Sequence, residues 1–382
     1  MSSLLTGKTV AIMGAGPVGL TTAVLLQQRG AAVTVYERDA GPETRISGGT
    51  LDLHADTGQL ALQAAGLLPQ FYELARPTAE RTADRHGTVL REELPTPETA
   101  QHRPEIDRQD LRRLLLAHLA PGTVQWDHQL RELHEQAGRF ALTFANQPTQ
   151  VADVVIGANG GRSVVRPYVL AEQPTYTGTF VIQGEILHPE VQCPAFYQVA
   201  GHANLMVRAA GRMLYAQTKA TGAINYYVSF RAPEDWLSGQ HLTASQPAAL
   251  GSLLVTELAD WHPLYHAAFQ ATHDFALLPM YRLPLAGFAT RQVHQPITLL
   301  GDAAHVMPPF AGIGVNIGLL DALHLTECLS SPEFGSLAAA IQAYERQMYT
   351  YAHQAQEETA AAELGIHSDK SDEELLRERE AH

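Results

Sequence analysis

"TVAIMGAGPVGLTTAVLLQQRGAAVTVYERD", residues 9–39, decides the fold. "TVAIM" is a continuous apolar run of the kind that forms a strand buried on both faces. Gly14, Gly16 and Gly19 follow in the spacing G-x-G-x-x-G. The first glycine permits a tight turn, the second lets a pyrophosphate approach the backbone, and the third lets helix and strand pack closely. "LTTAVLLQQRG" then reads as an apolar helix closed by Gly30. Its N-terminus turns unpaired N–H groups and a positive dipole end toward that pyrophosphate. "AAVTVYE" is the second parallel strand, and Glu37 at its end lies roughly 20 residues past the glycines, where an acid binds a ribose hydroxyl pair. The unit is a dinucleotide-binding βαβ motif, and by itself it leaves FAD and NAD both open.

Composition bounds the rest. The 382 residues allow two domains or one large elaborated one. With 45% hydrophobic and 17% charged residues, the chain reads as globular. A formal net charge of −14 argues against nucleic acid or an anionic membrane as partner. Cys193 and Cys328 stand outside any metal-ligand spacing and read as free thiols of a reducing compartment. "MSSLLTGKTV" lacks the basic head and long apolar run of a signal peptide, and no stretch approaches the ~18–20 apolar residues of a membrane span. The expectation is a cytoplasmic chain. The eighteen histidines are scattered without HExxH spacing, so no metal is expected. GxSxG and the P-loop pattern are absent, which removes the simplest hydrolase and NTPase readings.

In the middle of the chain, "RISGGTLDLHADTGQLALQAAGLL" (45–68) is a glycine turn, an extended piece and a helix. "EIDRQDLRRLLLAHL" (105–119) places Leu111, Leu114, Leu115 and Leu119 on one helical face. Arg108 stands near the start of that helix and off its apolar stripe, equally suited to a surface ion pair or a phosphate or flavin contact. "ADVVIGANGGRSVVR" (152–166) repeats the strand-then-glycine logic without a second G-x-G-x-x-G, which speaks against a separate NAD(P) domain. From about Tyr176 to Ala232 the pattern alternates between glycine turns, predicting an antiparallel sheet whose one face roofs a cavity. Gln183, Tyr215 and Asn225 occupy polar positions in these strands.

"PITLLGDAAHVMPPFAGIGVNIGLLDALHLTECL" (296–329) opens on another buried-strand run and ends it at Gly301 and Asp302. The intervening loop is rigid at Pro308 and Pro309 and permissive at Gly312 and Gly314, so its backbone N–H groups can approach a planar ligand. Asp302 is suited to accept from a ribitol or ribose hydroxyl. A helix beginning near Gly314 points a positive dipole end at the same place.

The ordered set Gly14-x-Gly16-x-x-Gly19, "GANGGRSVVR" and "GDAAHVMPPFAGIGVN" resembles the FAD-dependent aromatic hydroxylase group of flavoprotein monooxygenases. "GGTLDLH", "WDHQL", "IQGEI", "GDAAHVMPPFAG" and "YERQMYTYAHQAQEE" are more similar still to the tetracycline-inactivating branch, over nearly the whole chain. The resemblance implies FAD as cofactor, NADPH as transient reductant, and O2 and a small-molecule substrate as partners. The implied reaction is hydroxylation of tetracycline or a similar fused-ring polyketide through a flavin C4a-hydroperoxide, with no catalytic side chain. It assigns Glu37 and Arg38 to the adenosine half of FAD, and Asp52, Arg108 and Asp302 to FAD as well. Pro309, Gly312, Gly314 and Asn316 belong to the flavin-binding loop, and Arg45 to NADPH. Gln183 matches a substrate contact of the branch and Tyr215 keeps its aromatic. Asn225 stands where the branch has His and Asn204 where it has Arg, and the wider group's Asp is replaced by Asn159. Another phenolic or aromatic metabolite is the alternative substrate; a non-oxygenating FAD oxidoreductase and a substrate-sequestering relative are the alternative functions.

The expected architecture is α/β: a Rossmann-like FAD-binding domain (1–168 and 273–330), an antiparallel β-sheet substrate domain (169–272), a long C-terminal bridging helix (331–364) and a charged tail (365–382). The chain is expected to act as a monomer.

Overall fold

In the computed structural model, which describes residues 4–44, 48–239 and 242–370, the opening motif forms the centre of a five-stranded parallel sheet. The strands run in the order Ile297–Leu299, Val154–Gly157, Thr9–Met13, Ala32–Tyr36, Val124–Gln125. Val10 to Met13 and Val154 to Gly157 are buried throughout, as unbroken apolar runs between two helical layers must be. Helix Pro17–Gln28 leaves the glycine turn and packs on helix Gly314–Ser330, so the first and last motifs of the sequence meet at one end of this sheet.

A seven-stranded sheet makes the other half. Its order is Asp274–Arg282, Thr175–Ile186, Ile224–Arg231, Arg212–Thr218, Ala203–Ala209, Ala79–Ala83, Val89–Glu93. Neighbours are antiparallel except the pair Ala203–Ala209 and Ala79–Ala83, which is parallel. One face carries Ile182, Leu205, Leu214, Tyr226 and Val228 into a core shared with helices Pro247–Glu257 and Pro263–Gln270. The other face turns toward the parallel sheet.

The boundaries at 168/169 and 272/273 do not separate these halves. Strands Ala79–Ala83 and Val89–Glu93 come from inside the first segment, and Asp274–Arg282 from the second. The hairpin "AERTA…VLREE" is half exposed and rich in charges of both signs, so it carries no apolar alternation to announce its sheet.

Helix Leu337–Ile366 joins the halves. Ser336 caps it by accepting from the Ala339 N–H at 3.2 Å. Ile341, Tyr344, Met348 and Ala352 bury against the parallel-sheet core. At its far end Glu363 accepts from Thr177 of the seven-stranded sheet at 2.7 Å, and His367 meets Ser229 at 2.8 Å. Of the expected charged tail, residues 371–382 lie outside the described residues. Among the described residues no helix is long and apolar enough to cross a membrane.

Candidate active site

One continuous cavity of about 2410 Å³ runs between the two sheets, bounded by the glycine turn, Glu37, Arg108, the 308–314 loop and Gln183. A site for one drug-sized molecule occupies about 300–1,000 Å³, so this space accommodates a dinucleotide and a second ligand together.

At the dinucleotide end each glycine has its own reason. Gly14 sits at φ +109°, and a Cβ there would lie 2.5 Å from the Ala158 carbonyl oxygen. A Cβ on Gly19 would lie 2.1 Å from the Gly14 carbonyl oxygen, so this residue sets how closely helix and turn pack. Gly16 is different: nothing lies within 4 Å of where its Cβ would be, and it opens on the cavity. As N-cap of Pro17–Gln28 it offers no side chain to the first N–H groups, which are left for a ligand. Glu37 is buried, with Oε2 accepting from the Ala15 N–H at 2.7 Å and Oε1 from the Asp39 N–H at 3.1 Å. Its carboxylate thus ties the second strand to the glycine turn while bordering the cavity. Arg38 is exposed on the rim. Arg45 lies outside the described residues.

The late loop is built as the glycines and prolines predict. Pro309–Ala311 is one 3-10 turn, Gly312 takes a left-handed φ of +72°, and helix Gly314–Ser330 starts without a side-chain cap. A second set of free N–H groups therefore faces the same cavity. Asp302 follows Gly301 (φ +56°) and presents its carboxylate on the wall.

Two buried groups that the sequence reading missed fix this turn. Asp321, wholly buried in helix Gly314–Ser330, accepts from the Gly301 N–H at 2.7 Å, from Tyr351 at 2.6 Å, and pairs with His305 at 2.7 Å. Burial opposes charge on His305, but Asp321 more than offsets it and raises the imidazole above its ordinary value. From the other side Arg166 donates to the carbonyls of Gly161 (2.8 Å), Ala303 (2.9 Å) and Asp302 (3.0 Å). It closes the stretch "GANGGRSVVR", and Asp321 interrupts an apolar helix; a buried charge in each place was the available signal.

Asp52 and Arg108 both line the cavity, Asp52 beside Gly312 of that loop. Arg108 begins helix Arg108–Ala117 and crosses Gly48, where a Cβ would meet its Cδ at 2.4 Å. Asp52 Oδ2 accepts from Arg103 Nη2 at 2.6 Å and from His54 Nε2 at 2.9 Å. Asn316 lies in the first turn of helix Gly314–Ser330. Its side chain is wholly buried and off the cavity wall, accepting from the His54 N–H at 2.8 Å and donating to the Asp52 carbonyl at 2.9 Å. Its side chain fastens the late helix to strand Thr50–Asp52.

The seven-stranded sheet sorts the four substrate candidates into two cross-strand rows. Register aligns Gln183, Tyr227, Tyr215, Met206 and Thr82, all on the cavity wall. Two residues along, it aligns Glu185, Asn225, Gln217, Asn204 and Glu80. Gln183 and Tyr215 are thus on the wall, whereas Asn204 and Asn225 are not among its lining residues. Asn204 is buried and its Nδ2 donates to Glu80 at 3.0 Å and to Glu105 at 2.8 Å. Asn225 is fully buried with neither amide atom paired. Burial, with Asp52 and Glu80 nearby, pushes the Glu105 carboxyl up to about 7. Burial foremost, then the same acids, raises the Tyr215 phenol well above its usual value.

Residues 8–231 and 268–359 match the family described as FAD binding domain. The chain belongs to this family of FAD-dependent monooxygenases. Monooxygenase asqM of Emericella nidulans is 30% identical over 92% of this chain and 93% of its own. Among solved structures, HpxO of Klebsiella pneumoniae complexed with FAD and uric acid superposes with a TM-score of 0.79 at 21% identity, over 98% of this chain and 92% of that one. Tetracycline destructase Tet(55) superposes with a TM-score of 0.78 at 19% identity, over 98% and 94%. At these identities the two structures establish the shared fold.

The site's own features fit FAD. The uncapped N-termini of two helices, the open space at Gly16 and the Asp302 carboxylate suit, in turn, a pyrophosphate, its backbone approach and a polyol hydroxyl.

Proposed function

We propose that this chain is an NADPH- and O2-dependent hydroxylase of tetracycline or a similar fused-ring polyketide. The observation that carries the reading is the single cavity shared by both uncapped helix N-termini and the Gln183–Tyr227–Tyr215 row. It supports a flavin lying between the late loop and a wall of aromatic and amide side chains. Bound FAD supplies the redox and oxygen chemistry. The glycine turn and Glu37 hold the pyrophosphate and ribose, with Arg38 on the adenosine side. Asp302 takes a ribitol hydroxyl, and Arg108 and Asp52 border the flavin. The loop Pro309–Gly312 shapes its edge, and the helix beginning at Gly314 offsets negative charge on its pyrimidine ring. Gln183 and Tyr215 orient the ring substrate, which fixes the reacting carbon near the flavin. Closure of the space between the sheets excludes water. Arg45 is assigned to NADPH, and the enzyme to the cytoplasm as a monomer.

Another phenolic or aromatic substrate is favoured by one observation: Asn204 and Asn225, at the positions where the tetracycline-inactivating branch has Arg and His, are buried and not among the residues lining the cavity. Incubation of the yellow protein with NADPH and tetracycline in air decides between them. Loss of tetracycline with NADPH consumption and gain of one oxygen in the product supports the first reading. Intact tetracycline with flavin reduced by NADPH leaves the second.

A further inference from the structure

The second cross-strand row has an unbalanced end. Glu80 lies exposed on the cavity wall; Asn204 donates to its Oε1, which leaves Oε2 to the cavity. The same Asn204 nitrogen donates to Glu105 behind it, so one amide holds two carboxyl groups together. Glu105 is 2% exposed and its Oε2 has no donor. A charged carboxylate oxygen in that position is costly, so burial favours the neutral acid at Glu105; burial also raises Glu80, but as the exposed member of the pair it is the more readily charged. Two strands along the row, the wholly buried amide of Asn225 also has no partner on either atom.

The cations of this wall make their short contacts with other acids: Arg103 is near enough to act on Glu80 and Tyr215 but spends its hydrogen bonds on Asp52, and Arg108 lies toward Tyr227. Arg103 Nε and Nη2 both bind Asp52, Lys219 pairs with Glu185, and Arg91 pairs with Glu93. Arg208 belongs to the next row and has its own partner. No guanidinium or ammonium is paired with Glu80 among the described residues. A ligand carboxylate placed against Tyr215 would meet the Glu80 charge, whereas a hydroxyl or amino group would donate to it.

We propose that the corner walled by Tyr215 and Glu80, and backed by Asn204 and Glu105, selects ring substrates that present hydrogen-bond donors and rejects those that present a carboxylate there. The inference rests on the reading of this sheet face as the substrate wall. Asn204 is a positioning residue, and Glu80 is the group that touches the ligand.

The test is equilibrium binding to the FAD-loaded protein, followed by the perturbation of flavin absorbance with catechol, 2-aminophenol and salicylate. Catechol and 2-aminophenol are expected to bind about tenfold or more tightly than salicylate, since like charges face each other only in the salicylate complex. Glu80→Gln, with its flavin spectrum and melting temperature checked against the parent, is expected to bring the ratio near one by tightening salicylate. Salicylate binding as tightly as catechol, a ratio unchanged in E80Q, or no flavin response to any of the three overturns the inference. Tetracycline oxygenation is a separate readout. Its failure with the ratio intact removes the polyketide reading alone, and its success with the ratio absent removes this inference alone.

Discussion

The two sheets that face each other across the cavity use their polar residues in opposite ways. In the parallel half, each functional group sits at the end of a strand or the start of a helix: Glu37 after Ala32–Tyr36, Asp302 after Ile297–Leu299, Gly16 and Gly314 at helix starts. Position along the chain decides what they face. In the seven-stranded half, the polar groups lie in mid-strand, and two residues along from the row of Gln183 and Tyr215 lies a mixed row, in which Glu185, Gln217 and Glu80 reach the wall while Asn225 and Asn204 are buried between them. Register decides there, and register is a property of several strands at once.

The strongest challenge to this contrast is at Arg166. If the late turn is held by buried charge, Arg166→Ala leaves three carbonyls without their donor and destabilises by about 3 kcal/mol or more. Denaturant unfolding of the variant checks this, and FAD is expected to wash out on desalting. A variant as stable and as yellow as the parent would show that the strand-end geometry holds itself.

Glu105 tests the buried row of the other half. Its carboxyl binds a proton more tightly in the folded chain, near 7, than at the ordinary 4.5. Between those values the unfolded state holds fewer protons than the native one, so stability falls as pH rises. The loss is about 3 kcal/mol at most by pH 7 and above. Thermal melts from pH 4.5 to 8 are expected to show the decline in the parent and a flatter profile in Glu105→Gln.

The glycines sharpen the contrast within the parallel half. Gly19→Ala forces a Cβ to within 2.1 Å of a carbonyl oxygen and is expected to destabilise the apoprotein by about 1–3 kcal/mol. Gly16→Val has open space on the protein side, so the apoprotein melt is expected to hold while FAD affinity, read by fluorescence quenching, falls. Equal melts for the two variants would erase the distinction between a packing glycine and a ligand-facing one.

The smallest effect is on the wall. Gln183→Ala removes one hydrogen-bonding group from the front row and is expected to raise KM about tenfold, near 1 kcal/mol, with kcat less affected. Steady-state kinetics on the substrate found for the parent would measure it.

The same contrast explains what the sequence revealed. The glycine spacing, Glu37, Asp302 and the late helix start were legible because local geometry demands those residue types at those places. Arg108 and Asp52 became site residues only through resemblance, since their neighbours come from strands Thr50–Asp52 and Glu105–Asp107, which pair across more than fifty residues of chain. The burial of the Asn204, Asn225 and Asn316 side chains was not legible for one reason. An amide in a strand or helix start looks the same whether it meets a ligand or a neighbour, and only tertiary pairing tells which. Glu80 and the hairpin carrying it were invisible because a short strand of charged and small residues has no apolar pattern to distinguish it from a loop.

The most direct test of the account is product mass after turnover with NADPH, tetracycline and heavy-isotope O2. The account predicts a product heavier by one labelled oxygen, formed only when NADPH and FAD are both present. Tetracycline consumed without label, or NADPH oxidised by a substrate that leaves unoxygenated, would contradict it.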